Sequence, residues 1–271
     1  MQTPTFSRTD KNQFFKTLNK RVNNYFKEHN IDKTGNWKLH LKAGIMFSLF
    51  FIPFFVIFFI DIPVLAYLFA SIIIGVGMAG VGMNVMHDGN HGSYSSKTWL
   101  NKIMGGSIYI LAGNVYNWQV QHNVLHHTYT NIPGHDEDLD AGRVIRFTKE
   151  ATWYKFHAFQ HYYSIFLFLK YRVLYSNLTI NWCLTTDFKQ MGAYLKRKLS
   201  YGNTPNPKTL WTGLVISKIV YFSFWIVLPL VFGVASWWVI LIGFFVMHYT
   251  AGMILSVVFQ LAHITEDTIN P

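Results

Sequence analysis

The sequence predicts an all-α integral membrane protein: four transmembrane helices in two hairpins, with interfacial helices and a cytoplasmic cap carrying a histidine-rich metal site. Three observations predict it. The 271-residue chain is 51% hydrophobic and only 13% charged, where soluble proteins are about 25% charged. Its apolar residues gather into four runs of membrane-spanning length, at about 43–60, 64–86, 210–232 and 237–262. And five of its 12 histidines fall between His87 and His127.

The chain opens with a polar arm, residues 1–42, that holds nine Lys/Arg against three acids. Phe14-Phe15, Leu18, Val22 and Tyr25-Phe26 recur at spacings of three and four, the stripe of one amphipathic helix. Its expected place is along the membrane surface or against the body of the protein. A net charge of +10 invites a nucleic-acid reading. The basic residues, however, are interrupted by long uncharged runs, which suits anionic lipid headgroups instead, and no nucleic acid is expected. No apolar segment of signal-peptide type precedes Lys42.

Ala43–Ile60 is an uncharged run of 18 residues with Pro53 inside it, and Asp61-Ile62-Pro63 reads as a tight turn. Val64–Met86 follows with 23 residues, ~34 Å of helix against a hydrocarbon core of ~30 Å. Inside it, Gly75-Val-Gly77-Met-Ala-Gly80 matches the spelling of a dinucleotide loop. That loop needs a strand before it and a soluble βαβ unit around it. Glycines in an apolar run instead predict close helix–helix packing.

The two histidine clusters are His87-Asp88-Gly89-Asn90-His91 and His122-Asn123-Val124-Leu125-His126-His127. In each, a four-residue spacing puts two imidazoles on one helical face; His127 lies about 100° further round. Neutral imidazole is a favoured ligand of zinc, copper and iron. The single cysteine, Cys183, rules out a disulfide framework and a cysteine-based metal site. Between the clusters, Trp99–Val115 is only moderately apolar and is expected at the interface, so both clusters would share one face of the membrane. Candidates for orienting the ligating rings are Asp88 and Asn123 within the clusters, Asp136 and Asp138 in the acidic loop that follows, and Gln260. His157 and His161 repeat the four-residue spacing amid aromatic residues; they are weak metal candidates and fit an aromatic belt better.

Leu210–Phe232 is the third crossing, with Lys218 expected to snorkel if near an end. The fourth, Trp237–Ala262, brings His263 to the level of His87 and His91, while His248 reads as a buried histidine hydrogen-bonded within the bundle. The links 61–63 and 233–236 carry no Lys or Arg, whereas the arm has nine and 86–208 has thirteen. The positive-inside rule therefore places both termini and the cap, 87–209, in the cytoplasm.

The two histidine boxes between two pairs of membrane helices, with Asn131-Ile132-Pro133-Gly134 and Phe259-Gln260-Leu261-Ala262-His263, resemble the membrane-bound fatty acid desaturases, and within them the bacterial front-end, linoleoyl-CoA-type branch. The resemblance runs over nearly the whole chain, and the desaturase-like membrane domain is placed at 43–271. It implies two non-haem iron ions held almost entirely by imidazoles. On this chain the matching positions are His87 and His91 in the first box, His122, His126 and His127 in the second, and His263 at the end of the fourth span. It further implies an acyl-CoA or acyl-lipid substrate and O₂, used to introduce a cis double bond. The family's third box, Gln-x-x-His-His, is not found before Pro271, so the domain is expected to be incomplete at its C-terminus. No His-Pro-Gly-Gly haem segment is present, and a separate ferredoxin or cytochrome b5-like electron donor is expected.

Two alternatives remain open at this point. A histidine-box fatty acid or alkane hydroxylase would share every one of these residues, and an inactive desaturase-like membrane protein would keep the fold alone. A channel or transporter would carry ionisable residues within its spans, and here only Lys218 and His248 do so.

Overall fold

The computed structural model describes residues 13–132, 135–136, 146, 152–163 and 185–263, the last four of these without their side chains. Among the described residues every regular element is helical. Helix α1, Phe14–Glu28, forms as its periodicity predicts, but none of its residues is buried. Leu18, Val22 and Tyr25 all stand exposed, so packing of this stripe against the body is not observed among the described residues.

Four helices are long and apolar enough to cross a membrane: α2 (Trp37–Phe59), α3 (Val64–Asn90) and, later in the chain, two more at Pro207–Phe232 and Trp237–Phe259. Helix α2 begins six residues before its apolar run, because Asn36 Oδ1 accepts the Lys38 N–H at 3.0 Å and so caps a first turn that hydropathy does not register. Helix α3 passes through a π-helical turn, Gly82–Met86, and continues to Asn90, four residues beyond its expected end. The first histidine box therefore rides on the spanning rod itself.

Helix α3 is the central rod, packed on α2 and on the fourth span. The glycines mistakable for a nucleotide loop make this contact. A Cβ on Gly75 would sit 2.5 Å from the Met247 carbonyl oxygen, and one on Gly77 would sit 2.6 Å from the Phe50 nitrogen. Phe50, Phe54, Ile74, Met78, Val81, Trp225 and Met247 fill the core between the rods. Phe54 stacks on Phe224 at 4.5 Å and meets Trp225 edge-on at 5.1 Å, geometries that aromatic pairs favour.

The cap starts with α4 (Thr98–Gly106), too short to cross, and a 3₁₀ turn, Ser107–Leu111. Ala112 then takes φ +62°, reversing the chain into α5, residues 115–129, whose middle, Gln119–His126, is π-helical. Helices α6 (Asp187–Lys196), α7 (Pro207–Phe232) and α8 (Trp237–His263) are the remaining helices of eight residues or more among the described residues. A second apolar core of Tyr116, Val120, Leu125, Met191, Tyr194, Leu210 and Leu214 joins α5, α6 and the start of α7.

The two basic residues within the third and fourth spans, Lys218 and His248, resolve differently. His248 is fully buried with its Nε2 2.7 Å from the Tyr221 hydroxyl, the hydrogen-bonded core histidine expected. Lys218 does not snorkel. It is 6% exposed, and its ammonium donates to the Asp187 carboxylate and the Ala112 carbonyl, so an ion pair inside the protein replaces the headgroup region as its destination.

Candidate metal centre

Helices α3 and α5 bring the boxes together. The His87 and His91 rings lie 4.5 Å apart, and each is 5.2 Å from the His122 ring. One nitrogen from each of these three side chains falls within 4.8 Å of the others. Nitrogens bound about 2.0–2.1 Å from one shared ion in a tetrahedral set lie about 3.3–3.4 Å apart, so the three rings need only draw together, without changing partners, to share an ion. His127 joins through His91 at 5.1 Å and His122 at 4.7 Å, while His126 lies parallel to His122 at 5.2 Å. The π-helical turn explains the register. Its hydrogen bonds run five residues back rather than four, which draws His127 under His122 instead of leaving it 100° round the helix.

The surroundings hold His91 and His122 neutral and orient the rings beside them. Burial, followed by the repulsion of neighbouring imidazoles, pushes the pKa of His91 down to about 4 and that of His122 down to about 2. Only a neutral imidazole can donate a lone pair to a metal. His122 Nε2 is buried with no hydrogen-bond partner among the described residues, an unmet lone pair or N–H that a native protein seldom leaves without a reason. His126 Nδ1–H donates to both Asp136 oxygens at 3.0 Å, and Asp136 Oδ2 also accepts the Asn131 N–H at 2.9 Å from a residue in the left-handed region, φ +61°. His87 Nδ1 stands 3.1 Å from Asp88 Oδ1. Carboxylates bonded to one ring nitrogen leave the other as the donor. The all-imidazole set fits a first-row transition ion such as iron, copper or zinc.

Asn123 turns to the Asn90 carbonyl at 3.3 Å. Asp138 and the side chains of Gln260 and His263 lie outside the described residues, although the backbone of α8 reaches His263. His157 Nδ1 accepts the Tyr154 N–H at 3.1 Å in the cap of a 3₁₀ turn, and His161 is exposed with its ring 3.9 Å from that of Tyr162. Sequence reasoning missed Trp118. It is 7% exposed, stacks on His122 at 4.5 Å and meets His87 and His91 edge-on at 5.8 and 5.7 Å, forming an apolar wall. Its position four residues before His122 was the available signal.

Four apolar rods with a cluster of imidazoles at one end define a membrane protein of the histidine-box type, with three of those imidazoles placed so that they could hold a metal ion. The chain belongs to the fatty acid desaturase family, whose model matches residues 62–271. It is 31% identical over 255 residues to a sn-1 linoleoyl-lipid 6-desaturase of Arthrospira platensis, covering 93% of this chain and 66% of that one. A sn-1 linoleoyl-lipid 6-desaturase of Synechocystis is 30% identical over 96% of this chain and 70% of its own length. An acyl-lipid (8-3)-desaturase of Physcomitrium patens is 30% identical over 98% of this chain and 54% of its own. The chain thus spans between about half and about two thirds of the length of these relatives. No solved structure matches it.

Proposed function

We propose that this protein takes part in the O₂-dependent desaturation of fatty acyl chains, with iron held by His87, His91, His122, His126, His127 and His263 on the cytoplasmic side of the membrane. The convergence of the two boxes onto His122, whose buried Nε2 has no partner among the described residues, carries the reading. Names of relatives as linoleoyl-lipid and acyl-lipid desaturases support an acyl-lipid substrate over acyl-CoA. In the balanced reaction an acyl –CH₂–CH₂– unit, O₂, two electrons and two protons give –CH=CH– and two waters. A di-iron centre supplies, when bound, the oxidising power that unactivated methylenes require and that no side chain has.

The chain's own residues do the rest. Asp136 holds the His126 imidazole with Nδ1 protonated, and Asp88 is placed to do the same for His87. Trp118 closes one wall against water, which protects a reactive site from side reactions. The electrons come from a separate ferredoxin or cytochrome b5-like donor docking on the cytoplasmic cap.

The test is expression in a host supplying a reductant, with mass spectrometry of its fatty acids and iron analysis of the purified membrane protein. A product two mass units lighter, lost together with iron in His122→Ala, is expected. A product sixteen units heavier, or desaturation that survives complete iron removal, overturns the proposal.

A further inference from the structure

The two boxes sit on different helices, so something has to set the distance between them. Ring-to-ring contacts among neutral imidazoles are weak. Between α3, α4 and α5 lies Asn90, 7% exposed. Its Nδ2 donates to the Met86 carbonyl at 3.1 Å and to the Gly105 carbonyl at 3.0 Å. Its Oδ1 accepts from Gln119 Nε2 at 3.1 Å, and its backbone carbonyl accepts from Asn123 Nδ2 at 3.3 Å. One residue therefore ties the first box to α4 and to both sides of His122, since Gln119 precedes that histidine by three residues and Asn123 follows it directly.

The amide has one orientation. Flipped, its oxygen would face two carbonyl oxygens and its NH₂ group would face that of Gln119. The site is also cut to size. A Cβ at Gly105 would stand 2.8 Å from Asn90 Oδ1, and a Cβ at Gly89 would stand 2.3 Å from the Gly105 nitrogen. Glycine at both positions lets α3 and α4 touch, and the Asn90 amide fills the space that a side chain at 105 would take. A buried amide with both donors and its acceptor engaged fixes one geometry, because any displacement breaks several bonds at once.

We propose that Asn90 is a positioning residue: it sets the separation of the two histidine boxes and, through it, the affinity and coordination geometry of the imidazole site. This rests on the reading of the boxes as a metal site. Ligand constellations tolerate only about half an ångström of error. A change at Asn90 therefore reaches the metal although its side chain touches no imidazole in the bonds described.

The test is a Co²⁺ titration of the purified 271-residue chain in detergent, read by visible d–d absorption, together with thermal melting. Asn90→Asp turns an oxygen on two carbonyls, Gln119→Leu removes one strut, and Gly105→Ala pushes the amide aside. Ile74→Ala, ~20 Å along α3 from His87, controls for general loss of stability. Expected are Co²⁺ affinities at least about tenfold weaker, with shifted bands, in the three strut variants, and wild-type affinity and bands in Ile74→Ala. If Asn90→Asp does not fold, Gln119→Leu decides. Wild-type affinity and spectrum in the strut variants overturn the proposal, as does an equal loss in Ile74→Ala. Absence of any Co²⁺ band in the wild-type chain overturns the metal reading itself and this proposal with it.

Discussion

Lys218→Met should cost this protein more stability than a charge-to-apolar change in a membrane helix suggests. Lys218 is 6% and Asp187 1% exposed, and the ammonium bonds both the Asp187 carboxylate and the Ala112 carbonyl. Without the ammonium, the Asn117 amide still donates to Asp187 Oδ1 at 2.8 Å. Breaking a buried pair by removing one member costs about 3–5 kcal/mol. Burial already pushes the Asp187 pKa up, while the ammonium and the amide pull it back, so the orphaned carboxyl takes a proton and the loss settles near the lower figure. At about 2–4 °C per kcal/mol for a chain of this size, the melting temperature falls by about 6–12 °C. Replacing both partners, Lys218→Met with Asp187→Leu, recovers most of it. Asn117 Nδ2 still has the residue-187 backbone carbonyl at 2.8 Å, and matched apolar side chains often equal a buried ion pair. Thermal unfolding in detergent micelles of the wild type, both single variants and the double gives the coupling, expected at about 2 kcal/mol or more. A drop below about 2 °C in Lys218→Met, or strictly additive effects, would refute the argument that this pair latches the cap to α7.

Asp136→Asn keeps the shape of the His126 contact but removes the charge that fixes its tautomer, and should weaken metal binding about 10- to 100-fold with little change in melting temperature; isothermal titration with Fe²⁺ under anaerobic conditions reads it. The unfolded chain takes protons on imidazoles near pH 6.5, whereas folded His91 and His122 resist them down to about 4 and about 2. Stability of the chelator-stripped protein is therefore complete above about pH 6.5 and falls with acid below it, most steeply near about pH 5, before folded His91 takes its own proton; denaturation in detergent at stepped pH should show this slope, and His122→Phe should flatten it. Gly77→Ala places a methyl 2.6 Å from the Phe50 backbone nitrogen, which cannot swing aside, and should cost about 1–3 kcal/mol. Gly44→Ala, with nothing within 4 Å of its added Cβ, should be neutral or stabilising by up to about 1 kcal/mol; paired melting curves separate the two.

How much of this was legible in the sequence depended on the range of the interaction responsible. Spans are set by the solvent around them, so uncharged runs such as 64–86 announce themselves without a partner. The boxes announce themselves as well, since His87 with His91 and His122 with His126 repeat a local spacing. What periodicity misses is register. A π-helical turn needs packing to hold its extra residue, and nothing in Gln119–His126 signals that His127 swings under His122. The partner of Lys218 lies 31 residues away, so a charge in an apolar run read as a surface feature when it is an internal latch. Asn90 reads as a spacer inside the first box, because its partners, Gly105 and Gln119, come from other helices 15 and 29 residues on.

These failures share a cause. At the edge of a bilayer, water is scarce and polar groups have to satisfy one another. The bundle proper needs few such bonds, but the end that carries the imidazoles holds Asn90, Asn117, Gln119, Asn123, Asp136 and Asp187, each bonded across elements. A chain that needed only to fold would fill that space with leucine. One that must hold five imidazoles separate and close together needs bonds with direction, and only polar side chains supply them. The polar network is therefore the mark of the site, and its long-range pairing is the reason a linear reading finds the histidines but not what holds them.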